Sequence, residues 1–192
     1  MRLLPFFALL CLQGHAEIKG DAFTDPKTGF AIEKPKDWEF IKDPKTFGVE
    51  LKNDQSTGKE NGLIVTFSKV PKKPQPGVKP SVGVTRLSVA PKTTLVQWLD
   101  EEIKRQAAND KYYVPVSQAI ATKMEGDRSA ARAAFINSAV IEGKQVRVYH
   151  VVYVVHSGGQ VYLINMNCNE DQSNEYVGVF AEVAGSIQLQ SK

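Results

Sequence analysis

The chain has 192 residues, with 24 lysines and arginines against 21 acids and a formal net charge of +3. That near-balance argues against a partner held mainly by phosphate electrostatics, nucleic acid above all, because such binding scales with the cations brought to the backbone. The length suffices for one domain with a packed core.

At the N-terminus a single cation, Arg2, precedes the apolar run Leu3 to Leu12, and Gln13-Gly14-His15-Ala16 then places small residues three and one before a cut. This is the layout of a secretory signal peptide over residues 1 to 16. The run is about half the ~20 apolar residues that span a bilayer, so no transmembrane segment is expected there or later. Cys11 follows Leu10, where lipidation wants a small side chain, so soluble export, periplasmic or secreted, is expected over an anchor. Removing 16 of the 192 residues leaves 176, residues 17 to 192, as a single domain, and loss of Arg2 lowers the net charge from +3 to +2. One thiol, Cys168, then remains, without a partner for an internal disulfide. It closes an apolar strand pattern and reads as buried rather than nucleophilic.

Turn chemistry at Asp25-Pro26-Lys27-Thr28-Gly29 leads into a short strand with Phe30, Ile32 and Lys34 on one side. A similar turn, Asp43-Pro44-Lys45-Thr46, precedes Phe47 to Leu51; the likeness is local and makes no repeat. Gly62 to Val70 and Val82 to Ala90 alternate as strands. Between them Pro71 to Pro80 carries four prolines and three lysines, an extended, solvated connection. Lys72, Lys73 and Lys79 within it are candidate contacts for an acidic partner, or simply the charges that keep the loop soluble. Thr94 with Gln97 forms a capping box that opens a helix running to about Ala108, with Leu95, Trp98, Leu99 and Glu102 on one face. Asp100, Glu101 and Glu102 read as a solvated acidic face stabilised by the helix dipole, since no further metal ligand is placed beside them.

From Val114 the pattern becomes a sheet: Val114 to Met124, Ala130 to Ile141, Gln145 to His156 and Val161 to Cys168. Gly158-Gly159 signals a two-residue hairpin, because both central positions tolerate positive φ. Ser157 opposite Gln160 sets the register, pairing His150 with Asn167, Val152 with Asn165 and Val154 with Leu163. If the Glu142-Gly143 turn is equally tight, Asn137 lies on the same face as His150, opposite it or one pair along. Asn137, His150, Asn165 and Asn167 therefore form one polar row, with neighbouring strands ~4.8 Å apart. Tyr149, Val151, Tyr153 and Val155 share the opposite side with Tyr162, Ile164 and Met166, and that side is core. The row is a candidate site for a small polar ligand or a proton relay; the alternative is one histidine satisfied by amides on a partly wet face. No carboxylate is placed to orient the ring as a general base. His156 sits at the turn, exposed, and lies ~20 Å of strand from His150, too far to share a metal.

A last helix, capped by Asp171 or Ser173, carries the stripe Tyr176, Val177, Phe180, Val183 and Ala184. Gly185 stops it before a strand at Ser186 to Leu189.

The opening Thr28-Gly29-Phe30-Ala31-Ile32-Glu33-Lys34-Pro35-Lys36-Asp37-Trp38, the long meander with its glycine hairpin, and a closing helix followed by Gly185-Ser186-Ile187 resemble the PsbP-like superfamily. That group includes photosystem II extrinsic proteins, a Ran-binding nuclear import factor and exported bacterial DcrB-like proteins. The resemblance spans roughly residues 22 to 189. It implies an α+β fold in which an antiparallel β-sheet is sandwiched between helices, and mostly non-catalytic accessory or binding roles. Trp38, fixed between Pro35 and Pro44, is expected to plug the end of the sheet. No family metal ligand or Ran-contact residue can be matched to this chain. Ser-His-Asp order, paired zinc ligands, phosphate loops and Cys-x-x-Cys are not found, and no cofactor is implied. The preferred reading is an exported, non-catalytic accessory protein of the cell envelope that binds a protein or a small polar ligand. The alternative is a hydrolase or metal-dependent enzyme that uses His150 with acids brought near by folding.

Overall fold

A computed structural model describes residues 16–41, 62–70, 76–87, 93–124 and 128–189. In chain order its strands and helices are β1 (Glu17–Lys19), β2 (Ala22–Asp25), β3 (Phe30–Glu33), β4 (Trp38–Phe40), β5 (Gly62–Lys69), β6 (Ser81–Leu87), α1 (Leu95–Asn109), β7 (Val114–Met124), β8 (Arg128–Ile141), β9 (Lys144–Ser157), β10 (Gln160–Asn169) and α2 (Ser173–Gly185). The leader, the second Asp-Pro-Lys-Thr turn with Phe47 to Leu51, and Lys72 and Lys73 lie outside the described residues.

The chain is α+β and its strand pairings are antiparallel. β1, β2 and β3 make a small sheet, and a seven-stranded sheet has the order β4-β5-β6-β10-β9-β8-β7. Its centre obeys the expected register: Gln160 pairs with Ser157, Asn165 with Val152 and Asn167 with His150. Gly158 and Gly159 both take positive φ, 53° and 80°, the backbone that matches a tight turn to strand twist. The β8–β9 turn is equally tight, pairing Ile141 with Lys144, Phe135 with His150 and Asn137 with Val148, which places Asn137 one pair along from the histidine.

Both faces of β9 are packed, not one. Tyr149, Val151, Tyr153 and Val155 share a cluster with Tyr176, Phe180 and Val183 of α2, whereas Val152 and Val154 pack with Leu95, Leu99 and Ile103 of α1. A central strand covered on both sides reads as a near-continuous apolar run, and Val151 to Val155 is one. α1 opens with the expected capping box: Gln97 N donates to Thr94 Oγ1 at 3.2 Å and Thr94 N to Gln97 Oε1 at 3.1 Å. Asp100 pairs with Lys104 at 2.7 Å and Glu102 with Arg105 at 2.5 Å; none of the three acids lies in the first turn, so neighbouring cations rather than the helix dipole hold these two, and Glu102 is half-buried rather than solvated.

Some local expectations change. A 3-10 turn, Glu170–Gln172, leads into α2, and neither Asp171 nor Ser173 caps it. Val177 is exposed, outside the buried stripe of Tyr176, Phe180, Val183 and Ala184. Gly185 ends α2 without positive φ; the Ser186 N–H closes the last turn onto the carbonyls of Glu182 and Val183 instead. Ser186 to Leu189 forms a single bridge, Gln188 to Ala31, rather than a strand. Trp38 is 2% exposed, as an anchor should be, but it sits in the short edge strand β4 and meets Phe67 and Tyr176 edge-on at 6.0 and 6.3 Å.

The N-terminal hairpin docks on the glycine turn. Ser157 Oγ donates to the Thr28 carbonyl at 2.8 Å, while the Tyr162 hydroxyl donates to Asp25 Oδ2 at 3.1 Å and lies 2.5 Å from Thr28 Oγ1. Phe30 stacks on the Tyr162 ring with centroids 4.4 Å apart. A Cβ on Gly158 would lie 2.6 Å from the Thr28 Cα and carbonyl oxygen, whereas one on Gly159 would meet nothing within 4 Å. Gly159→Ala is therefore expected to cost about 1 kcal/mol, the left-handed penalty alone. Gly158→Ala should cost at least about 2 kcal/mol, because backbone must also move. Urea unfolding of the two variants checks the difference.

Candidate functional site

The polar row predicted across β8, β9 and β10 exists, and it lies on the α1 face. His150 is half-buried at the middle of the sheet. Its Nδ1 is 3.1 Å from the side-chain amide of Asn165 and its Nε2 is 2.9 Å from that of Asn137. Both contacts are to the carboxamide oxygens, Oδ1 of Asn165 and Oδ1 of Asn137, and the single N–H of a neutral imidazole donates to one of them. Both nitrogens are thus occupied.

The ring is also stacked. Phe135, its direct cross-strand partner, lies 4.8 Å away at 16°, and Tyr113 stacks on Phe135 at 5.2 Å and 26°. The segment leaving α1 places Tyr113 there, held by Asp110, whose carboxylate accepts from the Ser138 N–H at 2.9 Å and from the Ser138 hydroxyl at 3.2 Å. Burial lowers the His150 pKa from 6.5 to about 4, with the Asn165 hydrogen bond opposing it. The ring is therefore neutral at neutral pH, and a poor base.

Asn167 is the member the row does not bring together with the others. It stands directly opposite His150, yet its Oδ1 accepts from Ser81 Oγ of β6 at 3.0 Å. Asn169, two residues on and on the same side of β10, was not singled out from the sequence. Its Nδ2 donates to the Pro76 carbonyl at 3.1 Å and its Oδ1 accepts from the Val78 N–H at 2.8 Å. Alternate residues of β10 thus tie it in turn to β9, β6 and the segment before β6. Period-two counting reveals Asn169 as a member of the row, but not that a distant loop satisfies it.

Lys79 is exposed in that same segment. Cys168 is fully buried and its pKa is pushed up to about 12 by burial, as an inert core thiol requires. Two open clefts lie away from the histidine. One, of about 280 Å³, is bounded by Gly77, Arg147, Asn169 and Glu170; the other, of about 730 Å³, by Asp110, Tyr112, Ser138 and Gln145. Among the described residues no three His, Cys, Asp or Glu side chains converge on a point that could hold a metal ion, and no helix is long and apolar enough to cross a membrane.

No protein-family model matches the chain, and no curated protein matches it by sequence. Solved structures do match in shape. Cyanobacterial PsbP (CyanoP) from Synechocystis sp. PCC 6803 superposes with a TM-score of 0.55 at 13% identity, over 88% of this chain and 91% of that one. LpqN of Mycobacterium tuberculosis, described as involved in cell envelope biogenesis, gives 0.52 at 16%, over 87% of each chain. A protein of unknown function from Pseudomonas aeruginosa gives 0.54 at 7%, over 71% of this chain and 88% of that one. The fold is PsbP-like.

The histidine gives a pH signature whose sign is fixed. The unfolded chain takes up its proton near pH 6.5 and the folded one only near pH 4, so the unfolded state binds more protons between these values and stability falls as pH drops through that window. The loss should reach about 3 kcal/mol below pH 4. Urea midpoints from pH 8 to pH 4 should show this loss, and His150→Gln should flatten it.

Proposed function

We propose that this protein is an exported, non-catalytic accessory factor of the cell envelope, which acts by binding. The observation that carries the reading is the state of His150. Its nitrogens are both engaged by amides, its ring is stacked on Phe135, and its basicity is depressed, so it serves recognition or order better than proton transfer. Export rests on the leader pattern of residues 1 to 16. The envelope setting is supported by the shape shared with LpqN, which is itself described by a role in envelope biogenesis.

The packing of α1 and α2 on sheet residues of opposite parity supports a sheet sandwiched between helices. In this reading Asn137 and Asn165, oriented by their contacts to His150, recognise a small polar ligand through the amide atoms that the ring does not use, with Asn167 bracing the β6 side through Ser81. Lys79, together with Lys72 and Lys73, offers contacts to an acidic partner protein.

Mature protein immobilised as bait should retain one or a few envelope components under mild salt, and Lys72→Glu with Lys79→Glu should reduce capture severalfold if the lysines contribute. The same preparation tests the competing enzymatic reading. Broad hydrolase screens should show no turnover in wild type beyond that of His150→Ala. Turnover lost in the variant would make the protein an enzyme.

A further inference from the structure

We infer that the α1 face of the sheet carries a seat for one neutral hydroxyl oxygen above Gly83, between Thr66 and Asn165. The oxygen is that of a water molecule or of an uncharged polyol. Asn165, Gly83 and Thr66 are direct cross-strand partners on β10, β6 and β5, so the two side chains leave the same face on either side of a residue that has none.

α1 packs over β7, β8 and β9. Beyond its reach the same face turns polar: Thr66, Ser81 and Thr85 are 6%, 3% and 4% exposed. Ser81 has a partner in Asn167, but Thr66 Oγ1 is buried without one. A hydroxyl taken out of water and left unpaired forfeits a hydrogen bond it had in the unfolded chain, and folded proteins rarely tolerate that without a ligand or an ordered water.

Gly83 supplies the room. A Cβ built on it would sit 3.7 Å from Leu63 Cδ1 and 3.8 Å from Thr66 Oγ1, ordinary contact distances, so one further heavy atom fits beside the orphaned hydroxyl. Glycine inside a strand gives up packing and backbone entropy, and a close approach by a ligand is a standard reason to keep it. One amide group of Asn165 holds His150, which leaves the other for a ligand. Thr66, Ser81, Thr85 and Asn165 are all uncharged, so an ionised group brought here would lose its hydration without a counter-charge. A neutral oxygen that both donates and accepts suits the Thr66 hydroxyl and the Asn165 amide alike.

The seat shares Asn165 with the row proposed above but needs neither His150 nor the lysines. Its failure is therefore distinguishable from a failure of envelope-partner capture.

The test is solution NMR of the isotope-labelled protein in plain buffer and then with added glycerol. Long-lived water cross-peaks at Thr66 and Gly83 that persist in glycerol identify a water. Saturating shifts at Thr66, Gly83 and Asn165, with loss of those cross-peaks, identify a polyol hydroxyl. Either result supports the seat, provided Gly83→Ala abolishes it, since the added methyl fills the position without a clash. Thr66→Val should weaken it by about tenfold, the worth of one hydrogen bond, and Thr66→Ser should retain it. The seat is overturned if wild type gives neither signal. It is equally overturned if the signals survive in Gly83→Ala while β9 and β10 keep their native shifts, or if Thr66→Val binds as well as Thr66→Ser.

Discussion

The turn at Gly158-Gly159 fixes the relation between the two halves of this molecule. Positive φ at both positions sets the β9–β10 register, and a one-residue slip there would exchange every side chain between the two faces. The same turn is where the N-terminal hairpin lands, close enough that the Thr28 backbone leaves no space for a side chain on Gly158. A local conformational demand and a long-range packing demand thus fall on one residue. The buried hydrogen bonds among Asp25, Thr28, Ser157 and Tyr162 satisfy the polar groups that this close approach removes from water.

From that register follows the division of labour between the faces. On the α2 side the residues of β9 and β10 are tyrosines, aliphatics, Met166 and Cys168, and they form a continuous core. On the α1 side a second apolar cluster gathers around Leu95, Leu99 and Ile103 of the helix, and Asn165, Asn167 and Asn169 of β10 take partners in three different directions. Hydrogen bonds that cross strands in this way add less net stability than burial of the same area of hydrocarbon, but they are directional. They specify which strand lies beside which.

The histidine shows how environment overrides residue type. Imidazole is the side chain most readily drawn into acid–base chemistry at neutral pH, yet burial holds this one neutral, and two amides and a phenyl ring immobilise it.

The amino-acid sequence by itself determined the elements governed by neighbours along the chain. These are the α1 capping box, the tight turn at Gly158-Gly159, the alternation of the meander, and hence the face shared by His150 and Asn165, which Asn137 joins once the Glu142-Gly143 turn is equally tight. Each of these is a matter of local dihedral preference or a two-residue period, which a sequence carries explicitly. Tertiary structure decided which partner each of those side chains takes. Asn167 turns to Ser81, 86 residues earlier in the chain, Asn169 holds Pro76 and Val78, and the packing of α1 makes the second face of β9 a core. It also placed Thr66 beside Gly83, and the Tyr113 ring within the stack on His150. Such choices depend on strand order and on which element covers a face, and these are settled by the global balance of burial and chain entropy rather than by any local signal.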